Sequence, residues 1–365
     1  MREALKILFF PFAQSNPYQK QLSRCLQSRG DEVDYLLPEQ SPWGLFQYLC
    51  GRKRVDILHL HWTHPYLLGG SLPTCFLKAL RFFIFLVLAK AVQVKLVWTI
   101  HNLGSHEKQH PRFERFCHRQ LVALCDKIIV HSQYAQKKVM AEYRIVSQNH
   151  SIHVIPHGNY IDIYPNTFSR ENARRELGIL HDQQVFLYFG QIRSYKGIPE
   201  LLEAFSQLNA PRAFLMIAGR PYDVDLCDRL NDMIKGKENV RASLEFVPDE
   251  RIQVYMNAAD AIVLPFQDIF TSGSLLLAMS FGKAIILPAL DSLDELIDDL
   301  GFLSYSPADQ EGLRCTMQEA LSKDLLSMGG HNLEKAQTFD WQRIGEMTRN
   351  VYLEAVLAPK KSVMC

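Results

Sequence analysis

Two basic residues in the second half of the chain are spaced as a phosphate-binding pair. Arg193 and Lys196 lie three residues apart between Gly190 and Gly197, and a predicted helix follows them. Guanidinium and ammonium groups bind phosphate oxygens strongly, and the N-terminus of a helix favours negative charge. The loop therefore suits a diphosphate; the alternative is a solvated basic loop without a ligand.

A second candidate loop follows the predicted strand 261–264. It runs over residues 265–274 as a polar turn and leads directly into an apolar helix. Its last four residues are Thr271, Ser272, Gly273 and Ser274. Hydroxyl and backbone N–H groups at a helix N-terminus can hold a phosphate, although a serine there can also be a plain helix cap. Together with the Arg193 loop, this turn favours a ligand.

Two patterns in the chain resemble metal sites. His59, His61 and His64 lie within six positions, but no acidic or second-half ligand accompanies them, and strand-end histidines commonly bond to the backbone. Asp223 and Asp225 form a DxD pattern, which is short and common by chance; we interpret Asp223 as the N-cap of a helix. We expect no metal and no cofactor.

Short apolar segments alternate with helix-length amphipathic segments along the chain, which is typical of parallel α/β layers. The predicted strands are 5–10, 56–60, 95–99, 127–130 and 152–155, then 185–189, 214–217, 240–246, 261–264 and 284–287. Predicted helices of the first half are 18–28, 75–91 and 111–124. Ligands of open parallel sheets bind beyond the carboxyl ends of the strands. His101, just past the predicted strand 95–99, is therefore a further candidate.

The alternation stops and restarts once, which predicts two doubly wound domains. We expect an N-terminal domain at 1–165 and a C-terminal domain at 166–340, because segment 160–168 shows little periodicity and a helix start follows at Ser169. The last segment, 341–365, begins with a helical pattern, and we expect that helix to pack back on the first domain.

Composition limits the classes of partner. The chain of 365 residues carries 40 basic and 39 acidic residues, a net charge of +1, which gives no overall attraction to nucleic acid. Its eight scattered cysteines indicate reduced thiols and a cytoplasmic location. The apolar run 82–89 is too short to cross a bilayer. Flanking Lys78, Arg81, Lys90 and Lys95 suit a helix that also touches the inner membrane face.

These motifs, in this order, resemble glycosyltransferase family 4 and its close relatives of the GT-B fold, and the likeness runs over nearly the whole chain. Residues 190–197 resemble the diphosphate loop of that family, 214–219 its next strand and turn, and 246–250 the turn beside the nucleobase. The resemblance implies two Rossmann-like domains facing across a cleft. It also implies that Arg193 and Lys196 neutralise the leaving diphosphate and that His101 faces the transferred sugar.

The resemblance breaks at two positions. Ile269 and Leu277 stand where family members normally carry two glutamates, one near the sugar and one on the ribose. Asp268, Glu250 or a backbone group would have to replace the ribose contact. Residues 11–17 likewise replace a glycine-rich turn of many relatives. The expected substrate-binding residues are Ser15, Asn16, Gly190, Gln191, Arg193, Lys196, Gly219, Arg220, Phe246, Val247, Ile252, Asp268, Thr271, Ser272, Gly273 and Ser274, and the expected catalytic residues are His101, Arg193 and Lys196.

The resemblance implies a hexosyltransferase that moves a sugar, with UDP-glucose as the first choice of donor, onto a saccharide or lipid-linked saccharide in polysaccharide biosynthesis. It favours retention of the anomeric configuration and no metal. Two alternatives remain: an isomerase similar to nucleotide-sugar 2-epimerases, and a non-catalytic subunit that binds a nucleotide sugar. Conversion of the sugar without an acceptor would identify the first, and the glutamate losses make the second conceivable.

Overall fold

The computed structural model describes residues 4–14, 16–36, 44, 47, 48, 51, 55–105, 109–145 and 152–358. The chain forms two compact units: unit 1 comprises residues 1–158 and 341–365, and unit 2 comprises residues 159–340. Each unit contains a six-stranded sheet. All the described strand pairs are parallel. The predicted fold class, two Rossmann-like α/β domains, is confirmed.

The strands are β1 (Lys6–Phe10), β2 (Glu32–Tyr35), β3 (Ile57–Leu60), β4 (Lys95–Thr99), β5 (Lys127–Val130), β6 (Ile152–Val154), β7 (Gln184–Phe189), β8 (Ala213–Ala218), β9 (Val240–Ser243), β10 (Ala261–Val263), β11 (Ala284–Pro288) and β12 (Phe302–Tyr305). The helices are α1 (Pro17–Gln27), α2 (His64–Leu67), α3 (Leu72–Ala91), α4 (Pro111–Leu124), α5 (Gln133–Tyr143), α6 (Arg170–Glu176), α7 (Ile198–Ser206), α8 (Val224–Ile234), α9 (Asp249–Ala258), α10 (Gly273–Ser280), α11 (Gly312–Ala320), α12 (Leu325–Gln337) and α13 (Trp341–Leu357). One 3₁₀ turn, Ser194–Lys196, precedes α7.

The strand orders place a reversal point in each sheet. Unit 1 has the order β2-β1-β3-β4-β5-β6, so the chain reverses direction between β1 and β3. Unit 2 has the order β12-β11-β10-β7-β8-β9, and its reversal lies between β7 and β10. In sheets of this kind ligands bind in the crevice outside the carboxyl ends of the strands at the reversal point. The loops after β1, β3, β7 and β10 are therefore the places to look for a site.

Apolar residues on both faces of the central strands hold each sheet between its helices. In β7, Val185 and Leu187 belong to one core cluster, whereas Phe186 and Tyr188 belong to the cluster on the opposite face. Strands buried on both faces read as continuous apolar runs, which is why β7 was visible in the sequence.

Helix α13 belongs to unit 1, where it packs against α1, β4 and β5. Nε of Arg349 lies 2.8 Å from Oδ2 of Asp31, and the side chain of Asp31 is fully buried. The Nζ of Lys127 lies 2.7 Å from Oε2 of Glu354. These ion pairs tie the end of the chain to the first sheet.

Helix α3 has one buried and one exposed apolar face. Cys75, Ala79, Phe82, Phe85, Leu86 and Ala89 are buried in unit 1. Phe76, Ile84 and Val87 are more than half exposed, at 61%, 51% and 53%. Within the described part of the chain, α3 is the one helix long and apolar enough to cross a membrane, with a mean hydropathy of 1.9 and 33% of its most apolar window buried. The helix extends well beyond the apolar run 82–89 identified in the sequence.

Two strands and one boundary differ from the prediction. Strands β2 and β12 were not predicted; both lie at sheet edges, and in β2 the exposed acidic residues Glu32 and Asp34 interrupt the apolar pattern. The first unit ends at Gly158 rather than at 165. Tyr160, Ile161 and Tyr164 pack against the core of unit 2, so the segment expected to be a linker is part of that unit.

Candidate active site

Three loops of unit 2 meet at the carboxyl edge of its sheet. The backbone N–H of Gln267, after β10, donates to the carbonyl of Tyr195, after β7, at 3.0 Å. The N–H of Ile192 donates to the carbonyl of Arg220, after β8, at 3.0 Å. The structure therefore brings together the Arg193 loop, the 265–274 loop and the Gly219–Arg220 turn, which lie far apart in the sequence. We call this group of loops the basic cradle.

Glycines permit the close approach of these loops. Gly190 has a φ of +135°, and a Cβ atom placed on it would lie 2.6 Å from Oγ of Ser274. Gly219 has a φ of +149°, and a Cβ atom there would collide with the carbonyl of Gly190. Only glycine adopts such backbone angles without strain. Both glycines are therefore required by the shape of the basic cradle.

The two cations of the basic cradle lie over aromatic rings. The guanidinium of Arg193 is 4.2 Å from the centre of the Tyr222 ring, and its Nε donates to Oε1 of Gln191 at 3.2 Å. The Nζ of Lys196 is 4.1 Å from the centre of the Phe266 ring. Burial, and next the charge of Arg193, lower the pKa of Lys196 to about 8. Two neighbouring cations without full hydration form an environment that favours an anion.

The loop before α10 contributes a cap and a hydroxyl. Oγ of Ser272 accepts a hydrogen bond from the N–H of Leu275 at 3.1 Å, so Ser272 is the N-cap of α10. Ser274 lies beside Gly190. Thr271 and Gly273 are half-buried, and Asp268 is exposed. Both interpretations of this loop are therefore compatible with the structure, since a capped helix still points its N-terminus into the basic cradle.

The residues expected beside the nucleobase differ in exposure. Phe246 is 65% exposed, whereas Ile252 is buried in the core of unit 2 with 5% exposed. Val247 is half-buried. Only the backbone of Ile252 could therefore contact a ligand. Ile269 and Leu277, which replace the glutamates of the family pattern, are buried in the same core, at 8% and 6%.

Four histidines of unit 1 meet at the carboxyl edge of its sheet. His61 follows β3, His101 is the second residue after β4, His131 follows β5 and His157 is the third residue after β6. Because neighbouring parallel strands end at the same edge, these residues come together although 96 positions separate the first from the last in the sequence. Tyr18 of α1 packs its ring 5.0 Å from that of His101.

Three of these histidines form a hydrogen-bonded chain. Nδ1 of His61 lies 3.1 Å from Nε2 of His101, and Nδ1 of His101 lies 3.2 Å from Nε2 of His131. Nδ1 of His131 lies 2.9 Å from the carbonyl of Ile155. Burial, and next their neighbouring histidines, lower the pKa of His61 and His101 well below the usual range and that of His131 to about 3. All three rings are therefore neutral at physiological pH.

A small pocket lies against the hydrogen-bonded histidines. It has a volume of about 20 Å³, and its lining includes His61, Trp62, His101, Asn102 and Gly104. The indole of Trp62 stacks on the ring of His101, with ring centres 4.4 Å apart. The pocket therefore lies beside the hydrogen-bonded histidines of unit 1.

The other first-half residues singled out from the sequence have structural partners. Nδ1 of His59 lies 2.6 Å from the hydroxyl of Tyr352, and Nε2 of His59 lies 2.7 Å from Oγ1 of Thr99. Oδ1 of Asn16 accepts from the N–H of Tyr18 at 3.0 Å and so caps α1. Ser15 lies outside the described residues. In the ranges that the structure describes, no group of three His, Cys, Asp or Glu side chains is placed to share a metal ion.

Sequence reasoning singled out His101 but missed His131 and His157 as its neighbours. A signal was present, because a histidine follows each of the predicted strands 56–60, 95–99, 127–130 and 152–155 within two residues. Asp223, in contrast, caps α8 as predicted, with its Oδ1 2.8 Å from the N–H of Leu226.

Two Rossmann-type sheets, one of which carries a glycine-bounded basic cradle at its reversal point, define the class of two-domain enzymes that act on nucleotide-linked substrates. The family described as Glycosyltransferase Family 4 matches residues 17–161, and that described as Glycosyl transferases group 1 matches residues 169–334. The chain belongs to these glycosyltransferases of the GT-B fold and is a hexosyltransferase.

Similar proteins extend over nearly the whole chain. A GDP-mannose:glycolipid 4-beta-D-mannosyltransferase of Xanthomonas campestris pv. campestris is 25% identical over 350 residues, which cover 95% of this chain and 90% of that protein. Sucrose-phosphate synthase from Thermosynechococcus elongatus has a TM-score of 0.76 at 19% identity, with 97% and 99% of the two chains covered. Anabaena HepE, solved with UDP-glucose, has a TM-score of 0.71 at 16% identity, with 95% and 99% covered. The two structural likenesses show the fold.

Proposed function

We propose that this chain transfers a hexose from a nucleoside diphosphate sugar to a saccharide or lipid-linked saccharide acceptor, without a metal ion. The observation that carries the proposal is the basic cradle, in which the loop of Arg193 and Lys196 contacts the loop that leads into α10. Negative charge develops on the diphosphate as its bond to the sugar breaks. Fixed cations and backbone dipoles stabilise that charge without reorganisation, and this supplies the electrostatic part of catalysis.

The low pKa of Lys196 supports its role in binding the diphosphate. Its ammonium group is held in a partly buried place where burial disfavours the charge, and no carboxylate among the described residues forms an ion pair with it. A bound phosphate would supply the missing counter-charge. Arg193 can reach the same anion in a bidentate manner, which a lysine cannot.

GDP-mannose and UDP-glucose are the two donors to compare. The Xanthomonas relative, which covers 95% of this chain, is named for GDP-mannose, and this makes GDP-mannose the donor that we expect. UDP-glucose is the donor expected from the family resemblance alone. The buried Ile269 and Leu277 remove the usual carboxylates, so contacts to the ribose must come from other groups, of which Asp268 is exposed beside the cradle.

A lipid-linked acceptor agrees with the surface of α3. Phe76, Ile84 and Val87 expose apolar side chains along the helix, and Lys78 and Arg81 are exposed on it too. A helix of this kind binds at a membrane interface, with the apolar side chains among the lipids and the cations at anionic headgroups. We propose that α3 lies on the inner face of the cytoplasmic membrane while its other face stays packed in unit 1.

Calorimetry and turnover assays test the transferase function. Titration with GDP and UDP in EDTA should show micromolar binding of one nucleotide, and the matching sugar donor should be consumed only when a glycolipid or saccharide acceptor is added. Conversion of the donor sugar without an acceptor would favour an isomerase instead. Binding without turnover would favour a non-catalytic subunit, and the absence of all binding would overturn the proposal.

Vesicle flotation tests the membrane contact. The triple change Phe76→Ser, Ile84→Ser and Val87→Ser should abolish binding to phosphatidylglycerol vesicles and leave the unfolding midpoint nearly unchanged, since these side chains are exposed. A control with Leu180→Ser, Val224→Ser and Leu326→Ser, exposed by 65%, 73% and 86% in unit 2, should still float. Equal flotation of both variants would contradict the contact through α3.

A further inference from the structure

The hydrogen bonds of the histidine chain determine where each proton lies. The carbonyl of Ile155 can only accept, so Nδ1 of His131 carries the hydrogen, and Nε2 of the neutral ring is an acceptor. Nδ1 of His101 must then donate to His131, which makes Nε2 of His101 an acceptor for Nδ1–H of His61. The backbone carbonyl at one end thus fixes three tautomers in succession.

The other end of the hydrogen-bonded row of histidines is Nε2 of His61, an acceptor with no donor among the described residues. Because Nδ1 of His61 donates, its Nε2 carries a lone pair, and this atom is buried with no hydrogen-bond partner among the residues that the structure describes. The side chain of His61 is 1% exposed and lines the small pocket with Trp62, Asn102 and Gly104. A buried polar atom left unpaired costs stability, so its presence beside a pocket indicates a ligand with a hydroxyl group.

We propose that His61, His101 and His131 form a proton relay in which Nε2 of His61 takes the proton of the acceptor hydroxyl. This inference rests on the transferase function proposed above. Both nitrogens of His101 are engaged by histidines, so the base is His61, and His101 passes the proton on. The acceptor substrate is a saccharide, one hydroxyl group of which enters the pocket.

The transfer forms one carbon–oxygen bond and breaks another. The acceptor oxygen forms a bond to the anomeric carbon, and the nucleoside diphosphate leaves with the electron pair of the broken carbon–oxygen bond. The hydroxyl proton moves to Nε2 of His61, the Nδ1 proton of His61 moves to Nε2 of His101, and the Nδ1 proton of His101 moves to Nε2 of His131. His131 becomes a short-lived imidazolium that keeps its hydrogen bond to Ile155 and, because its charged form is disfavoured, gives the proton up to water after the transfer.

A protein base on the acceptor has a stereochemical consequence. When the leaving group itself takes the proton, attack comes from its own face and configuration is retained. A separate base allows the acceptor to attack from the opposite face, which inverts the anomeric centre. The relay therefore predicts inversion, whereas the family resemblance favours retention.

Nitrogen NMR tests the relay in the free protein. With ¹⁵N-labelled histidine, the side chains of His61, His101 and His131 should each show a protonated Nδ1 and an unprotonated Nε2, with peaks assigned by single His→Asn variants. A hydrogen on Nε2 of His61, or a doubly protonated His61, would overturn the proposal. This result does not depend on knowing the donor or the acceptor.

Chemical rescue separates a base from a structural histidine. His61→Ala should lower kcat by roughly 10²- to 10⁴-fold with little change in the KM of the donor, and added imidazole should restore part of kcat. His59→Ala is the matched control: it removes a buried imidazole of the same sheet that lies outside the relay, so imidazole should not stimulate it. Unchanged kcat in a folded His61→Ala protein, or an imidazole response equal in both variants, would overturn the relay.

The anomeric configuration of the product completes the test. A wild-type product with inverted configuration, measured by proton NMR coupling constants, supports the relay, and a retained configuration refutes it while leaving the transferase function intact. Absence of transfer from every nucleotide sugar refutes the transferase function itself. In that case the NMR result still decides whether the three tautomers are as inferred.

Discussion

The carboxyl edges of the two sheets carry sites of opposite character. In unit 2, Arg193 and Lys196 lie on a glycine-bounded loop and place their cations over aromatic rings, and the cation of Lys196 is partly buried. In unit 1, His61, His101 and His131 are buried, neutral and bonded to each other. One edge is therefore suited to stabilising a fixed negative charge, and the other to moving a proton.

This difference follows from how the residues are held. The cations of the basic cradle stand on one short segment, so their positions depend on backbone angles at Gly190 and Gly219. The three histidines lie on three separate loops, so their positions depend on the register of the parallel strands before them. A local change should therefore disable the first site, and a change in packing should disturb the second.

The largest effect is expected from removing both cations of the basic cradle. Arg193→Ala with Lys196→Ala should lower kcat/KM by at least ~10³-fold, because each group stabilises charge that develops in the transition state. The unfolding midpoint should change little. Steady-state kinetics and a urea titration would measure both quantities.

The matched control for that variant removes the same two residue types from elsewhere in unit 2. Arg212→Ala with Lys235→Ala changes exposed side chains, of which Arg212 is 77% exposed, and should leave kcat/KM unchanged. If both double variants retained full activity, the assignment of the basic cradle as the donor site would be wrong.

A smaller effect is expected from Gly190→Ala. Its φ of +135° strains any other residue, and the new methyl group would press against Ser274, so we expect a cost of about 1–3 kcal/mol together with weaker binding of the donor. Gly236→Ala has a φ of +79° but nothing within 4 Å, and it should cost less and leave donor binding alone. Calorimetry of donor binding by both variants provides the check. Equal donor affinities in the two variants would show that the contact between Gly190 and Ser274 does not affect donor binding.

The contrast between the two edges also explains what could be predicted from sequence. The basic cradle was visible because Gly190, Arg193, Lys196 and Gly197 are contiguous, and apolar runs revealed the buried central strands. The edge strand β2 was missed because two of its four residues, Glu32 and Asp34, are acidic and exposed. The relay was missed because its three members lie on three separate loops, and hydrogen-bond geometry cannot be read from spacing.

The pH dependence of donor binding gives a further, smaller effect. The pKa of Lys196 is lowered to about 8 by burial and then by Arg193, with Tyr195 and Phe266 as its other close neighbours. Above that pH the amine is neutral, so donor affinity should fall by up to about tenfold between pH 7 and pH 9. Calorimetric affinities measured across this range provide the test. Lys196→Arg should remove the fall, because arginine stays charged.

The same lowered pKa has the opposite effect on the stability of the free protein. The unfolded chain, with an ordinary lysine pKa of 10.5, binds more protons than the folded one between about pH 8 and that value. The free energy of unfolding should therefore rise through this window as far as Lys196 contributes. Donor affinity that was constant from pH 7 to pH 9 would indicate that Lys196 does not contact the diphosphate.

The smallest effect is expected in the packing behind the histidines of unit 1. Tyr352→Phe removes the hydroxyl that lies 2.6 Å from Nδ1 of His59 and leaves a buried nitrogen unpaired, which should cost about 1–2 kcal/mol in urea unfolding. Tyr164→Phe in unit 2 removes a half-buried hydroxyl and should cost less than about 0.5 kcal/mol. Because His59 lies outside the relay, kcat should stay near the wild-type value in both variants. A large loss of kcat in Tyr352→Phe would mean that catalysis depends on the whole buried cluster, and the division between a relay and its supporting core would have to be abandoned.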